Sequence, residues 1–92
     1  MIASVTVTTS PTQVLAAPSS KPYGFVSITN NGSTTAWLKV ATGSETLDTS
    51  NGIQLAAGAS FCVDQDMQAH LFRAGVQGIT SSGSTVLGVQ AE

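Results

Sequence analysis

The chain has 92 residues, of which three are Lys or Arg and five Asp or Glu, for a net charge of −2. That length makes one small domain with a thin core, and a single cysteine, Cys62, excludes an intramolecular disulfide. Three scattered cations cannot form the basic stripe of a nucleic-acid-binding protein or a polybasic membrane patch, and no run approaches the roughly 18 apolar residues that cross a bilayer.

Charged residues make up only 9% of the chain, against about 25% in an ordinary globular domain. Ser, Thr, Gly and Ala take their place, set between short alternating runs of Val, Ile and Leu. No helical period persists beyond a turn, and turn residues recur every eight to twelve positions or so, as in a sandwich or jelly roll. The segment from Met1 to Thr8 has no positive n-region and alternates like a strand, so it does not read as a signal peptide. The expectation is an unprocessed product made in a cytoplasm.

Ser4 to Thr9 is the first predicted strand, with Val5 and Val7 on one face, and Ser10-Pro11 ends it. Gln13 to Ala17 is a second, closed by the loop from Pro18 to Pro22, because proline is excluded from sheet interiors. Gly24 to Asn30 is a third, with Val26 and Ile28 on its apolar face. Asn31-Gly32 then carries a strong hairpin signal before a fourth strand from Thr34 to Ala41. A two-residue turn pairs Val26 with Trp37 and puts the tryptophan in the core. A three-residue Asn31-Gly32-Ser33 turn pairs Val26 with Leu38 and makes Ala36, Leu38 and Val40 the core face. One residue of slip reverses every side chain, and the second register, with Trp37 standing outside beside Phe25 or Ser27, gives the better core.

Thr42 to Gly52 reads as a polar loop, Ile53 to Leu55 as a brief strand and Ser60 to Asp64 as another, with Phe61 and Val63 inward. Met67 to Ala74 is expected as a further strand, Gly75 to Ser84 as a Gly/Ser-rich loop, and Thr85 to Gln90 as the last strand. The sum is a single all-β domain over residues 1–92. It is a compact antiparallel β-sandwich or jelly-roll-like fold of about eight short strands.

The sequence offers no catalytic, cofactor or metal site that outweighs its plain reading. Asp64, Asp66 and His70 supply oxygens and an imidazole for a divalent cation, but their spacing is that of no calcium loop, and a solvated turn explains them. Cys62 and His70 invite a thiolate–imidazolium pair, yet no orienting group or oxyanion donor accompanies them, and a cysteine between Phe61 and Val63 is ordinary packing. Asn31-Gly32-Ser33 matches a glycosylation sequon, which the turn accounts for. Ser81 to Ser84 lacks the lysine of a phosphate loop. The informative residues are the aromatics. Tyr23, Phe25 and Trp37 are the candidate interface residues, since aromatic anchors on a face of low charge are what an interface core needs. A small domain without disulfide or metal gains stability by association, so a homo-oligomer is expected.

Three segments, Thr12-Gln13-Val14-Leu15-Ala16, Phe25 to Gly32 and Gly52 to Phe61, resemble in kind and order those of small β-sandwich accessory proteins of tailed-phage virions. The likeness ends with Gly83-Ser84-Thr85-Val86 and covers most of the chain. It implies a virion structural protein without enzymatic activity or cofactor: a capsid decoration, or cement, protein seated on the capsid exterior. Its partners would be the major capsid protein and copies of itself, commonly as a homotrimer. The chain enters its first strand without the longer N-terminal arm of many decoration proteins, which keeps a tail, fibre or neck position open. The competing expectation is a carbohydrate- or host-surface-binding module, with Trp37 and Tyr23 stacking on sugar rings.

Overall fold

The computed structural model describes residues 1–17, 23–40, 46–64 and 75–92. Among them are eight strands and no helix: β1 (Ile2–Val7), β2 (Thr12–Leu15), β3 (Phe25–Asn30), β4 (Ala36–Lys39), β5 (Ile53–Leu55), β6 (Ser60–Asp64), β7 (Val76–Thr80) and β8 (Thr85–Ala91). They form two four-stranded antiparallel sheets, ordered β1-β8-β3-β6 and β2-β7-β4-β5. The pairs β1–β8, β2–β7, β3–β6 and β4–β5 nest inside one another along the chain. The pairs β3–β8 and β4–β7 then close the two sheets. This is the jelly-roll wrap, a long double ribbon rolled so that consecutive strands alternate between sheets everywhere except at the innermost β4–β5 hairpin.

Alternation along each strand makes the core. β3 reads Phe25 exposed, Val26 buried, Ser27 half-buried and Ile28 buried. β8 buries Leu87, Val89 and Ala91 while exposing Val86 and Gln90. Val7, Val14, Leu15, Ala36, Leu38, Leu55 and Val76 complete the inter-sheet core, with Val5, Tyr23, Val40, Phe61 and Val63 packed around it. The apolar faces expected on β1, β3, β4 and β6 are therefore the inward ones observed.

Two expectations are corrected. The Asn31-Gly32 segment is not a hairpin: β3 and β4 lie in different sheets, and neither proposed register exists. The cause is Asn30, whose inward side chain is fully buried. Its amide nitrogen donates to Thr34 O at 2.8 Å and Leu55 O at 2.9 Å. Its amide oxygen accepts from Gly32 N at 3.1 Å and from Thr85 Oγ1 at 2.7 Å. These bonds fold the 31–34 segment back on Asn30 and hand the chain across to the opposite sheet. Ala36 and Leu38 are nevertheless buried, because the strand's own alternation, not a hairpin partner, sets its core face.

The second correction concerns Gly75 to Ser84, which is not one loop. Val76–Thr80 is an inner strand between β2 and β4, and only residues 81–84 turn. Its glycine suits tight packing: a Cβ on Gly78 would stand 3.0 Å from Val14 Cγ2 and 3.3 Å from Val7 Cγ2, so those methyl groups would have to give way. Val7 comes from the other sheet, so Gly78 lies where the two sheets approach closely. The strand expected over Met67–Ala74 falls outside the described residues, as do Asp66 and His70.

Candidate functional site

Antiparallel partners project side chains to the same face, so the registers define the outer surface of the β1-β8-β3-β6 sheet. One row runs Ile2, Gln90, Ser27, Cys62, and the next Ser4, Gly88, Thr29, Ser60. Thr6 and Val86 follow at one end and Phe25 lies at the other. The hydroxyls are tied to one another: Thr29 Oγ1 and Ser60 Oγ are 2.8 Å apart, and Ser27 Oγ lies 3.3 Å from Cys62 Sγ. Among the described residues, charged side chains occur in this sheet only beside Phe25, at Asp64 on β6 and at Glu92 after β8, and the Met1 ammonium lies at the start of β1.

Gly88 shapes this face. The Asn31 side chain lies over it, with Nδ2 where a Cβ would come within 2.6 Å. A shallow groove of about 310 Å³ follows, bounded by Ile2, Ser4, Ser27, Thr29, Asn31 and Gln90. Its walls are hydroxyls, amides and methyl groups, a lining that offers hydrogen bonds and apolar contact but no formal charge. Ile2 is 82% exposed, and Phe25 and Val86 are exposed as well. Three large apolar side chains thus stand exposed on a sheet face whose central rows carry no charged side chain.

The three aromatic candidates are not brought together. Phe25 is on this face. Trp37 is on the outer side of the opposite sheet, between Gln54 of β5 and Ile79 of β7. It does not stand beside Phe25 or Ser27, because β4 is not paired with β3. Trp37 is also only half-exposed. The 46–52 loop folds against it: a Cβ on Gly52 would lie 2.8 Å from both Trp37 Cβ and Leu47 Cδ1. Leu47 and Ile79 are buried outside the inter-sheet core, so this loop gives the second sheet a small apolar cover. Tyr23 is partly buried against the core, and its hydroxyl donates to Ala16 O at 2.7 Å, tying residues 16 and 23 together.

Asp48 organises that covering loop. One carboxylate oxygen accepts from Ser50 Oγ at 2.6 Å, Ser50 N at 2.8 Å and Asn51 N at 3.1 Å. The Ser50 hydroxyl bond, followed by the backbone bonds, holds the Asp48 carboxyl below its ordinary value of 3.8. Asn51 reciprocates, accepting from Asp48 N and donating to Thr46 O, both at 2.9 Å. The second Asn-Gly pair is therefore a loop clasp.

Cys62 is exposed on β6; His70, its candidate imidazole partner, lies outside the described residues, as does most of the Asp64–His70 segment. The buried Asn30 was missed, although one signal was present: it continues the inward row of Val26 and Ile28. A scan against protein-family models, a search of curated proteins and a search of solved structures each returned no match.

Proposed function

We propose that this chain is a virion structural protein, a capsid decoration protein that docks on the outer surface of a phage capsid and stabilises the shell. The carrying observation is the outer face of the β1-β8-β3-β6 sheet, where exposed Ile2, Phe25 and Val86 flank rows of Ser, Thr, Gln and Gly. Burying charge against a partner costs several kcal/mol per ion unless it is well paired. A face of hydroxyls and apolar side chains avoids that cost and still offers hydrogen bonds. Docked against the major capsid protein, such a face adds buried area between neighbouring subunits and opposes their separation. The resemblance of the three sequence segments to phage accessory proteins supports the same reading.

The carbohydrate-binding alternative asks Trp37 and Tyr23 to form a stacking platform. Trp37 is half-covered by the 46–52 loop, and Tyr23 packs on the core with its hydroxyl engaged. That arrangement favours docking over sugar stacking.

Co-sedimentation of the purified chain with shells from the same source tests the proposal. Thr29→Glu, which sets a charge in the middle of the face, should weaken binding by about tenfold or more. Gln54→Glu, on the opposite sheet, should leave it unchanged. Equal loss with both variants, or binding that Thr29→Glu does not alter, contradicts the assignment of this face.

A further inference from the structure

We propose that β1 is a self-pairing edge: two copies of this chain join antiparallel along β1 about a twofold axis at Ser4, fusing two four-stranded sheets into one of eight. The argument starts from the ladder. Met1 and Ala91 exchange hydrogen bonds, with the Met1 ammonium donating to Ala91 O at 2.9 Å and the Ala91 amide to Met1 O at 3.0 Å. In an antiparallel pair such doubly bonded positions recur every second residue. Ala3, Val5 and Val7 therefore direct their N–H and C=O groups to β8, while Ile2, Ser4 and Thr6 direct theirs to the open side. No strand pairs with that side among the described residues, and Ile2, Ser4 and Thr6 are all exposed. The open run stops after Val7, because the carbonyl of Thr8 accepts from Thr80 N at 2.9 Å.

Proteins blunt free edges with short strands, bulges, prolines or charges. Three of the four edges here follow that rule. β2 has four residues, a register break between Gln13 and Leu15, and Pro11 just before it. β5 has three residues, and β6 ends in Asp64. β1 has six residues in unbroken register, with no proline and no charged side chain. An unguarded edge of this kind is a template for another strand.

A second copy fits it. Copies of a chain with net charge −2 repel one another, and an uncharged strand lets them meet without opposing like charges. Antiparallel pairing centred on Ser4 sets Ser4 against its equivalent and Ile2 against Thr6. Each of the three residue pairs then exchanges two hydrogen bonds, so every outward N–H and C=O of the edge is used. Ile2 gains the Thr6 methyl as an apolar cross-strand neighbour. The axis is twofold, not the threefold that the phage resemblance implies. Capsid docking does not depend on it.

Light scattering across a dilution series, with disulfide trapping, tests the pairing. The unmodified protein should shift from the 9.3 kDa chain mass toward twice that value as concentration rises. Ser4→Pro removes one outward N–H and leaves the β1–β8 ladder bonds in place; Ser4→Lys sets two ammonium groups face to face. Both should weaken association by about tenfold or more, with far-ultraviolet circular dichroism unchanged. In a Cys62→Ser background, Ser4→Cys should form a covalent dimer under mild oxidation, since paired Cα atoms about 5.5 Å apart suit a disulfide. Ile2→Cys should not link to itself, but should link to Thr6→Cys when the two are mixed. A monomer at every concentration, a trimer, or equal self-linking by Ser4→Cys and Ile2→Cys would overturn the proposal.

Discussion

Asn30 spends every hydrogen-bonding group of its side chain inside the protein, on Thr34, Leu55, Gly32 and Thr85. Its backbone does the same, donating to Ala59 O at 2.9 Å and accepting from Gly58 N at 2.8 Å. Leu55 is in one sheet and Thr85 in the other, so a single amide joins both layers and the two loops between them. Removing it strands several buried donors and acceptors, each costing about 1–3 kcal/mol when left without a partner. Asn30→Ala should therefore destabilise the protein by roughly 3–5 kcal/mol in urea unfolding; a loss below about 1 kcal/mol would show that water replaces the side chain. Asp48 makes a smaller, pH-dependent prediction. Its folded-state value lies below 3.8 because Ser50 and Asn51 donate to the carboxylate, so its contribution is complete above that pH and fades as pH falls through the lowered value. Acid should loosen the 46–52 loop and change Trp37 fluorescence below about pH 4. Asp48→Ala should abolish that acid step while leaving a spectrum already altered at neutral pH.

Two glycines with left-handed backbones separate conformation from crowding. Gly75, at φ 79°, opens β7, and a side chain there would run into the backbone of Leu15, Ala16 and Ala17. Gly83, at φ 65°, lies in the turn between β7 and β8 with open space around it. Gly83→Ala should cost only the left-handed penalty of about 1–2 kcal/mol, and Gly75→Ala distinctly more by thermal melting. Equal costs would mean that residues 15–17 move aside freely. At this scale the sequence was legible where alternation alone decides: β1, β3, β4 and β6 keep their expected apolar faces inward. It misled where local chemistry serves distant partners. Asn31-Gly32 has hairpin composition, but the neighbouring Asn30 amide is claimed by Leu55 and Thr85, residues 25 and 55 positions away. Gly75 and Gly78 read as loop residues because the groups that crowd them belong to distant segments, Leu15 at Gly75 and Val14 and Val7 at Gly78. Of the interface candidates, Phe25 was placed on an outer face correctly, whereas the cover over Trp37 depends on a loop whose packing no short-range pattern announces.

At the scale of the whole molecule, the nested pairing brings the first strand against the last, and Met1 against Ala91. Each nested pair closes a long loop before its contacts form, and such topologies fold slowly. Refolding followed by Trp37 fluorescence should fall in the range of about milliseconds to seconds; relaxation in microseconds would mean that local structure carries more of the stability than this pairing allows. The same wrap leaves one broad sheet face with uncharged central rows and exposed Ile2, Phe25 and Val86, and the proposed function rests on that face being covered in use. The most direct test is a binding isotherm of the purified chain on capsid shells from its source, measured at low and high salt. Contact through the uncharged central rows of this face predicts saturable binding that barely changes with ionic strength, because such a contact gives salt little charge to screen. Binding that collapses in high salt, or no binding above that of an unrelated β-sandwich, would contradict the account.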